Sequence, residues 1–255
     1  MQVETAAQQL REKQNANRAL AAERGQILSR FKLLEEMEKE GQGYAQGVRE
    51  VLRRHSQDKL PGIFGTVAQS LRVDKEYEAA VEVALGGSAQ NVITETERSA
   101  QDAIRWLKNM DKGRVTFLPL DTLRSAKPQG SGLPKGKGIV GRLVDLVDFE
   151  DKYLPAMEFL LGRIWLADEL SNAVARARET DFRYRIVTLD GQVVNAGGSL
   201  TGGSMKQSGG GFISRRRQLE ELDKEIRRIS RELSAGEEEE NGLHRAWEEA
   251  KAVLA

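Results

Sequence analysis

The sequence predicts an α+β protein in which two repeated β-α-β-α-β subdomains are flanked by an antiparallel two-helix coiled coil. Three observations lead to this prediction: heptad patterns at both ends of the 255-residue chain, an internal repeat between them, and two glycine pairs near the end of the second half. The expected boundaries are 1–53 for the N-terminal arm with a junction helix, 54–123 and 139–212 for the subdomains, 124–138 for a linker and 213–255 for the C-terminal arm.

The first arm is identified by its helix-forming composition and its apolar spacing. Residues 1–40 are rich in Ala, Gln, Glu, Arg and Leu, which favour helix. One heptad position holds Val3, Leu10 and Phe31, although the polar residue Asn17 also occupies it. A pattern sustained over about five heptads favours a coiled coil over a globular helix.

The last segment carries a matching apolar stripe. Gly236 and the acidic run 237–240 weaken its middle. Because the chain enters the insert on one arm and returns on the other, the arms of one molecule can pair only antiparallel. Two separate solvated helices would leave both stripes exposed to water, which makes pairing the favoured interpretation. The stripe consists of Leu219, Leu222, Ile226, Ile229 and Leu233.

Between the arms, the sequence repeats itself at an offset of 76 residues. A lone unit of about 60 residues has a thin core, so the two copies are expected to pack together. The residues that recur are Ile63, Gly65, Tyr77, Ala80, Glu82, Leu85 and Gly86, at Ile139, Gly141, Tyr153, Ala156, Glu158, Leu161 and Gly162.

Each copy is predicted to alternate strands and helices. Glycine after a helix and a Thr-x-x-Glu capping box before one mark the boundaries in the first copy. Its predicted elements are a strand at 63–71, a helix from Tyr77 ended by Gly86-Gly87, a strand at 89–93, a helix opened by the capping box Thr94–Glu97, and a strand at 114–118.

The second copy adds a hairpin that leads to the glycine pairs. Asp190-Gly191 separates two β-prone runs, which is a strong hairpin signal. Two glycine pairs follow, at Gly197-Gly198 and Gly202-Gly203. Glycine is needed where φ is positive or where another backbone approaches closely. The stretch therefore indicates a surface that is approached by a phosphate or by another polypeptide.

Composition excludes several kinds of chemistry. With no cysteine, the chain has no disulfide, thiolate or Cys-based zinc site, which also excludes a zinc-linked coiled-coil apex. The two histidines, His55 and His244, lie in the charged flanks, so the block between them lacks the imidazole that Ser-His catalysis requires. The polar N-terminus and the lack of a long apolar run predict an intracellular protein that spans no membrane. We expect no metal and no cofactor.

A formal nucleotide motif is present but is in the wrong context. Residues 136–141 match G-x-G-x-x-G, yet a dinucleotide fingerprint follows a strand and opens a helix. Here the motif follows a Pro/Gly-rich linker and opens a predicted strand. The sequence also has no G-x-x-x-x-G-K-[ST] phosphate loop.

Taken together, the chain resembles the hinge of structural-maintenance-of-chromosomes (SMC) proteins, and is most similar to the bacterial or archaeal homodimeric members. The resemblance covers most of residues 60–205 and is strongest in four stretches. These are P-G-I-F-G-T-V at Pro61, Y-E-A-A-V-E-V-A-L-G-G at Tyr77, G-R-V-T-F-L-P-L at Gly113, and R-I-V-T-L-D-G-Q-V-V-N-A-G-G-S-L-T-G-G-S at Arg185.

The resemblance implies a homodimerisation module and not an enzyme. In the family, two contacts pair the first half of one hinge with the second half of its partner and form a ring, and Gly197, Gly198, Gly202 and Gly203 would belong to that contact region. The ATPase and the accessory condensin subunits belong to head regions outside this stretch. The implied role is chromosome condensation and segregation in the cytoplasm, at the nucleoid.

DNA contact is a further implication of the resemblance, and basic residues next to the arms are candidates for it. Arginines at a helix N-terminus oppose the macrodipole, so helix stability does not explain the run from Arg215 to Arg217. Without interleaved aromatic residues, the expected contact is with the DNA backbone and lacks sequence preference. A solvated charge run is the simpler alternative. The candidates are Arg53, Arg54, Lys206, Arg215, Arg216 and Arg217.

An alternative function remains open. The stretch 197–203 would suit an anion- or small-ligand-binding α/β domain if a helix began directly after it, because helix N-termini bind anions. Residues 205–211 read instead as a loop.

Overall fold

A computed structural model of the chain describes residues 2–124, 134, 136–204 and 211–253. The chain divides into two compact units. The arm unit comprises Met1–Lys39 and Gln218–Ala255, and the central unit comprises Glu40–Arg217.

The arm unit is a pair of long helices, α1 (Gln2–Lys39) and the greater part of α7 (Phe212–Ala252). Contacts between them join early residues of one helix to late residues of the other, so the helices run antiparallel within one molecule, as the heptad patterns predict. Gly236 does not interrupt α7, which is continuous through the acidic run. The polar cross-helix contacts include Lys13–Glu239 at 2.5 Å, Asn17–Glu240 at 2.7 Å and Arg30–Gln218 at 3.3 Å.

The first half of the central unit contains a junction helix, two further helices and four short strands. The elements are α2 (Gln46–His55), β1 (Ile63–Thr66), β2 (Leu71–Val73), α3 (Glu78–Leu85), β3 (Val92–Thr94), α4 (Glu97–Asn109) and β4 (Phe117–Pro119).

The second half follows a similar order and ends in two additional strands. The elements are β5 (Ile139–Arg142), β6 (Val147–Phe149), α5 (Leu154–Leu161), β7 (Ile164–Ala167), α6 (Leu170–Glu179), β8 (Arg185–Thr188), β9 (Val193–Val194) and β10 (Leu200–Thr201).

Strand pairing follows one scheme in both halves. The first sheet has the order β1-β3-β4 and the second has the order β10-β9-β8-β7-β5. In each, the leading strand pairs antiparallel and the next pair is parallel. The recurring residues Gly65 and Gly141 both lie where the register shifts in the leading strand, so this identity in the sequence repeat corresponds to a strand irregularity.

The predicted strand at 63–71 is wrong, because it is broken by a 3₁₀ turn at Ala68–Ser70. Thr66 and Gln69 cause the break. The backbone N–H of Gln69 donates to Thr66 Oγ1 at 3.3 Å, and that of Thr66 donates to Gln69 Oε1 at 3.0 Å. Such local side-chain hydrogen bonds compete with a sheet ladder. The strand resumes as β2, which pairs with β6 of the second half.

Three other boundary predictions are also wrong. The predicted strand at 114–118 starts only at Phe117 and ends at Pro119. The predicted strand at 89–93 starts only at Val92, because residues Gly86–Gln90 form a 3₁₀ turn. The helix that follows is capped by Thr96, whose side chain accepts from the Ser99 N–H, and not by Thr94. Thr94 is fully buried at the end of β3.

A shared hydrophobic core joins the two halves. Val81 and Ile93 of the first half belong to the same buried cluster as Leu143, Met157 and Leu166 of the second. This agrees with the expectation that neither copy buries a sufficient core alone. Within the described ranges, no helix combines the length and apolar character needed to cross a bilayer.

Candidate functional site

Each of the two larger sheets of the central unit has two edge strands, which pair on one side only among the described residues. β4 ends the first sheet and β10 ends the second. Both residues of β10 are exposed, and Leu200 is 58% exposed. An edge strand presents unpaired backbone groups that can pair with another chain. The exposed leucine at such an edge makes β10 a candidate contact surface.

The first glycine pair forms the turn that folds β10 back onto β9. Gly197 and Gly198 have φ values of +85° and +93°, a region that strongly favours glycine. The Gly197 N–H donates to the Phe182 carbonyl oxygen at 2.9 Å, and the Gly198 N–H donates to that of Asn195 at 3.0 Å. The sequence indicated a strand end here, but it did not predict that the chain would continue as another strand.

The second glycine pair is held by the side chain of Gln192. The Gly203 N–H donates to Gln192 Oε1 at 3.0 Å, and Gln192 Nε2 donates to the Gly203 carbonyl oxygen at 3.3 Å. A Cβ at Gly202 would overlap Gln192 Oε1, and Gly203 has a φ of +130°. Contacts and backbone angles within the chain therefore explain why glycine occupies all four positions. The two pairs flank β10 and shape this edge strand.

The basic residues of α2 lie on the central unit beside α4. Arg53 is 62% exposed and pairs with Glu50 at 2.6 Å, and its hydrogen bond lowers the pKa of the Glu50 carboxyl. Arg54 is half-buried, with its guanidinium 4.9 Å from the centre of the Trp106 ring. Arg53 thus presents its charge to solvent, whereas Arg54 is held against an aromatic ring.

The arginines at the start of α7 are engaged within the central unit. Arg215 is only 6% exposed, and its Nη1 donates to the Gln42 carbonyl oxygen at 2.8 Å. Arg217 Nε lies 2.7 Å from Glu78 Oε2. These contacts supply the stabilising role that the sequence argument did not find for them. Lys206, the remaining basic candidate of this stretch, lies outside the described residues.

Arg216 lines a small cavity at the seam between the two halves. The cavity has a volume of about 210 Å³ and is bordered by β2 and β6. Its charged lining residues have both signs, with Arg72 and Arg216 beside Asp148 and Glu150. The lining therefore shows no preference for one charge.

Glu82 of α3 lies at the N-terminus of α7. Its Oε1 accepts from the Phe212 N–H at 3.2 Å and its Oε2 accepts from the Ile213 N–H at 3.1 Å. Burial raises the pKa of Glu82, although these two hydrogen bonds oppose that shift. A carboxylate in this position satisfies orphan amides and complements the helix dipole. No local pattern in the sequence indicates this contact, because 130 residues separate Glu82 from Phe212.

Comparisons with known proteins place these features in a family. Residues 60–177 match the family described as "SMC proteins Flexible Hinge Domain". The chromosome partition protein Smc of Desulfitobacterium hafniense is 40% identical over 218 residues, which cover 84% of this chain and 18% of that protein. The chain thus spans less than a fifth of the length of this relative.

Solved hinge structures resemble the chain over most of its length. The SMC hinge domain of Geobacillus stearothermophilus, described as an asymmetric dimer, is 33% identical with a TM-score of 0.83, over 98% of both chains. The Pyrococcus furiosus hinge domain is 30% identical with a TM-score of 0.53, over 72% of this chain and 92% of that one. Agreement in sequence and fold across nearly the full length of a solved hinge shows that the chain belongs to the SMC hinge family.

Proposed function

We propose that this chain is a hinge module that joins two copies of an Smc-type chromosome partition protein as a homodimer and contributes contact with the DNA backbone. The observation that carries the dimer proposal is the pair of open strand edges at β4 and β10. Each belongs to a different half and ends a different sheet.

A two-fold dimer would cover both edges at once. If β4 of one protomer lies beside β10 of its partner, the symmetry generates the same contact a second time, as a self-complementary interface requires. The apolar side chain of Leu200 then lies in the interface instead of in water. The Geobacillus stearothermophilus relative, which is described as an asymmetric dimer, supports dimerisation but not the two-fold symmetry of the contact.

Leu200 is a better probe of the interface than the glycines. Substituting Gly197, Gly198 or Gly203 would strain a backbone with positive φ, so a monomer formed by such a variant could reflect a misshapen turn. Leu200→Asp alters the edge without that strain. Ile104→Asp is the matched control, because Ile104 is an apolar residue of α4 that is 50% exposed.

Sedimentation equilibrium over a range of concentrations tests the proposal. We expect the unmodified chain and Ile104→Asp to have the mass of a dimer, and Leu200→Asp to dissociate with an unchanged circular dichroism spectrum. A monomeric unmodified chain would overturn the dimer proposal. If Leu200→Asp dimerised as well as the unmodified chain, β10 would not be part of the interface.

For DNA contact, we propose the exposed Arg53 together with Arg54, Arg216 and Lys206. Arg215 and Arg217 are assigned a structural role within the central unit instead, because their guanidinium groups contact Gln42 and Glu78. Neutralising one arginine that contacts a phosphate should reduce the salt dependence of binding by about 0.9 in the slope of log affinity against log salt.

Arg53→Gln and Arg105→Gln form a matched pair for this test. Arg53 and Arg105 are 62% and 71% exposed, and each pairs with an acid three residues earlier, Glu50 or Asp102. Fluorescence anisotropy with a labelled duplex across a salt series should show weaker binding and a shallower slope for Arg53→Gln only. Equal behaviour of the two variants would remove Arg53 from the DNA contact.

The alternative, an anion cradle at 197–203, has weaker support. The N–H groups of Gly197, Gly198 and Gly203 already donate to acceptors within the chain. A bound anion would have to displace those acceptors.

A further inference from the structure

A buried polar side chain faces a glycine in the middle of the arm unit. Asn17 of α1 is only 6% exposed. Its Nδ2 donates to Glu240 Oε2 at 2.7 Å, which fixes the orientation of the amide. Its Oδ1 then points at Gly236 of α7 and has no hydrogen-bond partner among the described residues.

Gly236 leaves the space that this amide occupies. A Cβ on Gly236 would overlap Asn17 Oδ1, so the oxygen lies where a side chain would otherwise be. Even alanine at position 236 would require Asn17 to move.

Both residues occupy positions that are apolar elsewhere in the seam. Asn17 follows Leu10 by one heptad, and Gly236 follows Ile229 by one heptad. Leu10 and Ile229 are both buried apolar residues. The polar residue on one helix is thus matched by the missing side chain on the other, and neither exception fits an ordinary apolar layer.

We propose that Asn17 and Gly236 form a register lock, a single layer that fixes how the two arm helices align along their length. A single buried asparagine at a core position specifies register in coiled coils at some cost in stability. Here the specificity comes from two complementary residues, the polar Asn17 on one helix and Gly236, which has no side chain, on the other.

Slipping the helices by one heptad shows why the layer selects a single register. In one direction Asn17 would face Ile229 and Gly236 would face Leu10; in the other, Asn17 would face Leu243 and Gly236 would face Arg24. In either case Asn17 loses Glu240, so a buried amide is left without a partner. The native register alone places the amide against the glycine.

A double-mutant cycle measures the coupling between the two residues. Gly236→Ala should lower the thermal midpoint of the arm unit, because the new methyl group meets Asn17 Oδ1. Asn17→Ala removes that oxygen, so the double variant should melt above the midpoint expected from adding the two single changes. Strictly additive shifts would contradict the proposed complementarity.

Thiol crosslinking measures the register itself, and the absence of cysteine in the chain makes it clean. Lys13→Cys with Glu239→Cys reports the native register, because those residues form an ion pair. Lys13→Cys with Glu232→Cys or with Ala246→Cys reports a slip of one heptad in either direction. A short thiol-specific crosslinker is added, and products with the mass of one chain are counted.

The native background should give the native-register product only. In the Asn17→Ala, Gly236→Ala background, at least one of the slipped products should also appear. Exclusive native-register crosslinking in that background would overturn the proposal, because the remaining seam would then be sufficient to set the register.

Discussion

Arg185, at the start of β8, donates through Nη1 to the Ala84 carbonyl oxygen at 2.9 Å, at the end of α3 in the other half of the central unit. Its Nη2 reaches the Val83 carbonyl oxygen at 3.2 Å. The last carbonyls of a helix have no partner within that helix and carry partial negative charge. The Arg185 guanidinium of the second half therefore caps the C-terminus of α3, a helix of the first half.

Removing this link should destabilise the central unit. We expect Arg185→Ala to lower the free energy of unfolding by roughly 1.5–3 kcal/mol, because two partly buried carbonyl groups lose a charged donor. Arg183→Ala is the control, since Arg183 is exposed two residues earlier. Urea unfolding measures both variants. Similar values for the two would mean that the link adds nothing to the packing of the halves.

Lysine should not replace Arg185. A lysine ammonium cannot offer two donors in the fixed, forked geometry of a guanidinium. We expect Arg185→Lys to recover less than half of the stability that Arg185→Ala loses in the same assay. Full recovery would indicate that charge alone, and not the fork, closes the helix.

Glu82 should make the stability of the central unit depend on pH. Because burial raises its pKa in the folded state, its contribution is most favourable below the ordinary glutamate pKa of about 4.3 and is lost as the pH rises through the raised value. Glu82→Gln has no proton to exchange. The stability of the wild type relative to Glu82→Gln should therefore increase as the pH falls towards about 4.3.

Amide hydrogen exchange at Phe212 and Ile213 locates the same effect. Both N–H groups donate to Glu82, so both should exchange faster in Glu82→Ala, whereas amides in the middle of α7 should be unchanged. A stability difference between wild type and Glu82→Gln that stays constant with pH would contradict the raised pKa.

The sequence and the structure assign different N-cap residues to α4, Thr94 and Thr96 respectively. Thr96→Ala should cost about 1 kcal/mol, because the Ser99 N–H loses its acceptor. Glu97→Ala should change stability by less than about 0.5 kcal/mol, since Glu97 is exposed in the first turn. A capping box at 94–97 would make Glu97 the costly position, so urea unfolding of the two variants distinguishes the assignments.

Local patterns predicted much of this architecture because the forces behind them are local. The heptad spacing of α1 and α7 and the Asp190-Gly191 hairpin depend on neighbours within one or two turns of chain. The predicted strand at 63–71 failed because Thr66 and Gln69 exchange hydrogen bonds that a reading of apolar alternation does not include. Propensity also gave no sign of β10, which exists through the turn at Gly197-Gly198.

The site was harder to predict because its contacts are distant in sequence. Arg215 to Arg217 read as a basic run, and nothing near them indicated that Gln42 and Glu78 would engage Arg215 and Arg217. Glu82 and Glu158 are equivalent in the repeat, yet Glu82 caps α7 whereas Glu158 faces Arg142. Identity between the copies therefore did not reveal the role of either residue.

Crosslinking between the two proposed edges tests the central claim most directly. Thr116→Cys lies beside β4 and Thr201→Cys lies in β10, and both positions are exposed. If β4 of one protomer lies beside β10 of its partner, the double variant should give covalent dimers with a short thiol crosslinker, and neither single variant should. A double variant that stays at the mass of one chain, or single variants that crosslink equally well, would contradict the proposed dimer.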